Sequence, residues 1–369
     1  MPTSTAGDVR AMVLTGVGTL VEQSFPRPAT ALDDGLLRVE LAGICHTDVG
    51  ILSGSYAAPC PLVMGHEIVG RIEEVGERAA RRWGVRPGDR VAVEPIAGCG
   101  SCRYCAAGDN RFCDDAIGYG TSTPASQPPH LYGAYSPLMY LAPGSLVHRL
   151  PEGMSAASGM LCTVAISNGV QWTLARGGVR QGDRVVVQGV GPIGLCCVAA
   201  ARAAGARTVV ATGLSRDALG LSLATTFGAD VTVAADEDDV LAVVRHATQG
   251  ELADVVVDTT GSPRAVRLSL DLVRKTGTVV SAGVTGKDTL TPLPLDVLLL
   301  KEIRLQGVFS FDSDAVRRAI SLATSGAFPF EQLVTHRFPL VEAERAIALV
   351  ADTSTGDHLK VALFPPPAD

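Results

Sequence analysis

An α/β protein, with a doubly wound parallel sheet joined to a second, β-rich unit, is what this chain predicts, and three observations carry the expectation. Its 369 residues exceed one ordinary domain of roughly 100 to 200 residues. From about residue 165 to 307, short Val-rich runs alternate with helical stretches, the rhythm of parallel strands joined by crossover helices. Up to about residue 150 the runs are closely spaced and broken by Gly and Pro, which suits a barrel-like unit.

Taken in order, "AMVLTGV", "GLLRVELAGI", "EIVGRIEEVG", "DRVAVEP" and "SPLMYLA" read as the strands of the first unit. In the second, "DRVVVQGV" is an apolar strand and "PIGLCCVAAARAAGA" a small-residue helix that ends at Gly. The strand "RTVVATG" and the helix "SRDALGLSLATTFGA" follow, then the strand "ADVVVDTTG", a helix over "SPRAVRLSLDLVRKTG" and the strand "TVVSAGV". "AVRRAISLATSG" adds a helix, "LKVALF" a last strand, and "FPPPAD" a frayed end.

Composition narrows the function. A hydrophobic content of 47% with 19% charged residues belongs to a well-packed protein rather than a disordered one. The net charge of -7 argues against a nucleic-acid partner, and "RAARRWGVR", the nearest thing to a basic stripe, reads as a solvated turn. No apolar run reaches the ~18 to 20 residues of a membrane helix, and "MPTSTAGDVRAMVLTG" lacks the regions of a signal peptide. The expected location is therefore the cytoplasm, where clustered cysteines serve as metal ligands or catalytic groups more often than as disulfides.

Gly189, Gly191 and Gly194 form G-x-G-x-x-G directly after a strand and at the start of a helix, with Pro192 and Ile193 between the last two. The first glycine permits a tight turn, the second lets a pyrophosphate approach the backbone, and the third lets helix and strand pack closely. The next strand ends at Gly213, where an acid would grip the ribose of NAD. Ser215 and Arg216 follow and suit a 2′-phosphate, so the reading leans slightly to NADP, although Asp217 is near enough to swing back to the ribose.

"CGSCRYCAAGDNRFC" places Cys99, Cys102, Cys105 and Cys113 in one short segment. Four thiolates on such turns close around one tetrahedral Zn²⁺ and leave no open position, so the site is structural. An iron–sulfur cluster fits the same ligands, and disulfides are disfavoured by the compartment. Chemistry then needs other ligands. "GICHTDV", "GHEIVG" and "MLCTVAISNGV" offer Cys45, His66, Glu67 and Cys162, and two thiolates with an imidazole make an open zinc site.

"GICHTDV", "GHEIVGRIEEVG", the four-cysteine lobe, "GVGPIG" and "DVVVDTTG" stand in the order and spacing of the zinc-dependent medium-chain alcohol dehydrogenases, and the resemblance spans nearly the whole chain. It implies a GroES-like catalytic domain at 1–163 with the zinc lobe near 95–115, a dinucleotide-binding Rossmann domain at 164–307, and a return to the catalytic domain at 308–369. It implies two zincs per chain, a catalytic one on Cys45, His66 and Cys162 and a structural one on the four-cysteine lobe. Polyol-type relatives use a Glu near position 162; here the closest acid, Glu152, lies upstream.

The resemblance also assigns roles around the metal. Glu67 matches a carboxylate beside the zinc, Asp48 one that orients His66, and Thr47 the hydroxyl that passes the alcohol's proton outward. His46 and Lys360 match basic contacts to the cofactor pyrophosphate. Where well-studied relatives continue the proton relay with a histidine, this chain has Gly50. Pro95 replaces the aromatic wall of primary-alcohol enzymes and suits a secondary alcohol, polyol or cyclic hydroxy compound, with Tyr119, Tyr132 and Tyr56 as candidate pocket walls. "LPLDVLLLKEIRLQGVFS" resembles a subunit-interface strand, implying a homodimer or homotetramer. A C=C or C=N reductase of the same fold, and a non-catalytic zinc and nucleotide-binding protein, are the competing readings.

Overall fold

The computed structural model describes residues 7–286 and 288–366. Six strands form one wholly parallel sheet in the spatial order Val231–Ala234, Thr208–Gly213, Arg184–Gln188, Ala253–Asp258, Val273–Ser281, Arg304–Gly307. Numbered along the chain this is 3-2-1-4-5-6, the Rossmann order, and the order in which strands are added across the sheet reverses between the first and fourth strands. The central strands are buried on both faces, as Val185, Val186, Val187, Val255, Val256 and Val257 require, all at 3% exposure or less. Each such side chain contributes about 1.5 to 3 kcal/mol of burial.

The other half is built on a sheet that begins Val147–Arg149, Arg90–Val93, Glu67–Val75 and Gly35–Gly43, with Leu138–Leu141 also on Gly35–Gly43. The last two strands of the chain, Lys360–Phe364 and Val334–Pro339, complete it, Ala362 opposite Gly43 and Leu363 opposite Ala42. A smaller sheet, Thr19–Phe25, Val9–Gly16 and Leu62–Val63, packs beside it. The C-terminal segment thus ends in the same sheet as the strands that carry the N-terminal motifs.

Three local expectations change. The helix over "SPRAVRLSLDLVRKTG" stops at Leu272, and Val273 already pairs with Ala253. Lys301 ends it by donating from Nζ to the carbonyls of Leu270 (2.7 Å) and Val273 (2.8 Å). "RAARRWGVR" is mostly a helix, Glu77–Trp83, stopped by Gly84 at φ 66°. Tyr119 and Tyr132 are core residues rather than pocket walls: Tyr119 is fully buried and shares a 2.6 Å hydrogen bond with Ser145. The frayed end expected at "FPPPAD" lies partly outside the described residues.

Candidate metal centres and dinucleotide cleft

Cys45 caps the helix His46–Ser53, and Asp48 reaches back so that its Oδ2 accepts the Cys45 N–H at 2.8 Å. The same carboxylate turns its Oδ1 to Nδ1 of His66, 3.3 Å away. One short motif therefore fixes the cysteine and, through Asp48, the histidine of a distant segment. The Sγ of Cys45, a ring nitrogen of His66 and a carboxylate oxygen of Glu67 lie within 4.8 Å of one another. Thr47 Oγ1 stands 3.7 Å from the Cys45 sulfur.

Electrostatics suit a metal. Burial pushes the Cys45 thiol up, but the His66 imidazole and the Lys360 ammonium outweigh it and leave the thiol below its ordinary value. Burial lowers His66, yet Asp48 and Cys45 together raise it well above its usual range. An imidazolium beside a thiolate gives up its proton when a cation binds the pair. Glu67 Oε2 is buried without a hydrogen-bond partner, while Oε1 accepts from Lys360 Nζ at 2.6 Å. A sulfur, an imidazole held from behind by a carboxylate, and a spare buried oxygen form a donor set that fits zinc.

Cys162 is not part of that trio. It sits on the helix Ala156–Thr163, fully buried, and burial alone pushes its thiol up. Its neighbour Thr163 accepts the Ile68 N–H at 3.2 Å, which pins this end of the helix to the strand that begins at Glu67. Lys360 also departs from expectation: it is 5% exposed and spends its ammonium on Glu67 and the Ile44 carbonyl (3.0 Å), rather than facing a pyrophosphate. His46 is exposed, within electrostatic reach of Lys360 and His358. A Cβ on Gly50 would stand 2.3 Å from Cδ2 of Tyr56, so the ring of Tyr56 lies where a side chain at position 50 would start.

The sulfurs of Cys99, Cys102, Cys105 and Cys113 also lie within 4.8 Å of one another, and all nine cysteines are free thiols. Backbone N–H groups point at the sulfurs: Cys102 N to Cys99 Sγ, Cys105 N to Cys102 Sγ and Cys99 N to Cys113 Sγ, each 3.4 Å. Such donors hold thiolates, and those of Ser101 and Cys102 help bring Cys99 down to about 6. Four sulfurs turned on one point fit a closed tetrahedral ion. The lobe also leans on the nucleotide half, with Phe112 6.0 Å from Phe309 between ring centroids and Asp109 3.9 Å from Arg176.

At the reversal point of the parallel sheet the three glycines divide the work. Gly189 has φ 100°, and a Cβ there would meet Thr259 Oγ1 at 2.5 Å; one on Gly194 would meet the Gly189 carbonyl at 2.0 Å. Gly191 has nothing within 4 Å, so the loop leaves open space at the N-terminus of the Pro192–Ala203 helix, where a pyrophosphate would rest. A Cβ on Gly213 would lie 2.5 Å from Val190 Cγ2, which explains why no acid stands there. Ser215 gives both its N–H and its hydroxyl to Asp236, at 2.7 Å each. Asp217 takes the Leu214 N–H at 2.8 Å, and Arg216 is exposed. Asp236 escaped the sequence reading because it follows the third strand rather than the second.

Tyr135 was also missed. It is fully buried with its hydroxyl unpartnered, and Asp48, Glu67 and Cys45 raise its phenol after burial does. Gly65 gives it room, since a Cβ there would meet its Cδ1 at 2.4 Å.

A Rossmann sheet with an open glycine loop, joined to a β-rich half that carries two clusters of metal-ligating residues, defines the class: a metal- and dinucleotide-dependent oxidoreductase. The alcohol dehydrogenase GroES-like domain matches residues 32–152 and the zinc-binding dehydrogenase domain residues 192–325. The chain is 40% identical over 356 residues to a probable alcohol dehydrogenase of Mycobacterium tuberculosis, covering 94% of this chain and 96% of that one. It is 33% identical to the erythritol/L-threitol dehydrogenase of Mycolicibacterium smegmatis, covering 90% and 91%. A zinc-binding dehydrogenase structure from Sinorhizobium meliloti, bound to NADP, superposes with a TM-score of 0.87 at 27% identity, covering 98% of this chain and all of that one. The chain belongs to the zinc-dependent medium-chain alcohol dehydrogenases and is an NAD(P)-dependent enzyme of that family.

Proposed function

We propose that the chain oxidises a secondary alcohol, polyol or cyclic hydroxy compound to the ketone or aldehyde, or runs the reverse reduction, with hydride exchanged at a nicotinamide. The observation that carries this reading is the cluster of Cys45, His66 and Glu67 with the Thr47 hydroxyl beside it. Zinc bound there would supply Lewis acidity, lowering the pKa of an alcohol hydroxyl. Cys45, His66 and Cys162 would hold it. The Thr163 bond to Ile68 supports Cys162 by tying its helix to the strand after His66, and Glu67 is a neighbouring carboxylate able to exchange with a ligand. The lobe of Cys99, Cys102, Cys105 and Cys113 would hold a second, structural zinc.

The chain's own residues do the rest. Asp48 Oδ1 stands 3.3 Å from Nδ1 of His66 and would orient the ring so that its other nitrogen serves the metal. Thr47 Oγ1, 3.7 Å from the Cys45 sulfur, would accept the substrate proton and pass it outward. Beyond Thr47 no histidine continues the path at Gly50, and Tyr56 closes over that position. Gly189, Gly191 and Gly194 leave room for the cofactor phosphates, with Pro192 and Ile193 opening the helix behind them. Pro95 and the erythritol/L-threitol relative favour a secondary alcohol or polyol over a primary alcohol.

We further propose a homodimer or homotetramer: Leu295, Leu299 and Leu300 are at least 72% exposed beside the sheet's edge strand Arg304–Gly307. Among the described residues no helix is long and apolar enough to cross a membrane. Free clustered thiols suit the cytoplasm. Screening secondary alcohols, polyols and their ketones against both nicotinamide cofactors by absorbance tests the activity. Turnover of at least one polyol or secondary alcohol, abolished by chelation, is expected; reduction confined to C=C or C=N substrates would replace this reading with the reductase one.

A further inference from the structure

Building on the dinucleotide reading, we infer that Asp236 is the residue that selects the cofactor, and that it selects NAD(H) over NADP(H). The usual acid at the end of the second strand is disfavoured here because a side chain at Gly213 would start 2.5 Å from Val190 Cγ2 and force it to move. The third strand supplies one instead. Ala234 stands in register with Gly213, Ala235 donates its N–H to the Gly213 carbonyl at 2.7 Å, and the chain then folds Asp236 over the start of the 215–217 turn.

There it takes the donors a 2′-phosphate would need. Oδ1 accepts the Ser215 N–H and Oδ2 the Ser215 hydroxyl, at 2.7 Å each, and the Leu214 N–H already goes to Asp217. The N–H groups of Leu214 and Ser215, at the entry to the turn, are therefore both satisfied by carboxylates. Arg216, exposed beside them, is the one cation among these residues, set against two anions. Each carboxylate oxygen of Asp236 keeps a lone pair for a ribose hydroxyl, whereas a phosphate would meet like charge and find the Leu214 and Ser215 N–H groups already taken. The Ser215 donors and the Arg216 charge also hold the Asp236 carboxyl below its ordinary range, so it is ionised at neutral pH. The slight lean to NADP drawn from Ser215 and Arg216 is reversed, because the sequence does not show that Ser215 is engaged.

The test is binding, not turnover. Dissociation constants for NADH and NADPH are measured by fluorescence on wild type, Asp236→Asn and Asp236→Ala, with 5′-AMP and adenosine 2′,5′-bisphosphate as competitors that lack the nicotinamide. Wild type should bind NADH at least about tenfold tighter than NADPH, the scale of one like-charge contact near a surface. Asp236→Ala, which frees both Ser215 donors, should erase or invert that ratio, and Asp236→Asn should fall between. Wild type binding NADPH as tightly as NADH, or a ratio unchanged in a folded Asp236→Ala, would overturn the inference while leaving the dinucleotide reading intact. Failure of wild type to bind either cofactor would remove both.

Discussion

The four-cysteine lobe and the cluster of Cys45, His66 and Glu67 are both sets of metal-ligating residue types with donor atoms within 4.8 Å of one another, yet they are built in opposite ways. The lobe takes all its groups from residues 99–113, with backbone N–H groups of the same segment aimed at the sulfurs. The cluster draws Cys45 from a helix start, His66 and Glu67 from a strand start, and Lys360 from the last strand. Its neighbour Thr47 and its orienting Asp48 come from the Cys45 motif alone. A local site of four thiols would saturate its metal and stabilise the fold. An assembled site can keep one position open, because no single turn dictates all its angles.

If that division is right, the two sites empty independently. Cys45→Ala should remove one zinc of two, leave the circular dichroism unchanged and lower kcat/KM by about 10³-fold or more, since Lewis-acid stabilisation contributes several kcal/mol. Cys102→Ala should also remove one zinc but chiefly lower thermal stability, by at least about 2 kcal/mol. Metal analysis beside activity reads both. Loss of both metals from either variant would show one cooperative unit in place of two sites.

A finer split separates Cys162 from Glu67. Cys162→Ala is expected to lose the reactive-site zinc. Glu67→Gln should keep both metals while leaving the Lys360 ammonium buried without its carboxylate, a loss of about 3 to 5 kcal/mol in denaturant unfolding. The reverse metal pattern would make Glu67 the third ligand.

How far the sequence reached follows the same contrast. The parallel sheet was legible because valine runs and glycine punctuation repeat along the chain, and the lobe because its spacing is its geometry. The reach of Lys360 to Glu67, 293 positions away, has no local signature; a basic residue opening the last strand reads equally well as a cofactor contact. Asp236 was hidden for a similar reason, since register between neighbouring strands, not distance along the chain, sets it beside Ser215. Tyr119 and Tyr132 were misplaced because a loop rich in Pro and Ser looks exposed until its aromatic rings are seen packed inside the β-rich half.

The smallest expected effect probes what the lobe holds in place. Phe112 is 42% exposed and Phe309 58%, so their ring contact, 6.0 Å between centroids, is worth about 0.5 to 1.5 kcal/mol at most. The neighbouring Arg111 side chain is only 4% exposed, and it bonds Asp109, which in turn faces Arg176 across the same seam. Phe112→Ala should therefore keep both zincs, lower unfolding stability by that amount and change kcat/KM by less than about threefold on any substrate the screen identifies. Urea unfolding and steady-state rates measure the two effects separately. A rate loss far larger than the stability loss would mean that docking of the lobe on the nucleotide half governs the cleft itself. The local site would then belong to the chemistry, and the contrast between scaffold and reactive centre would fail at this one contact.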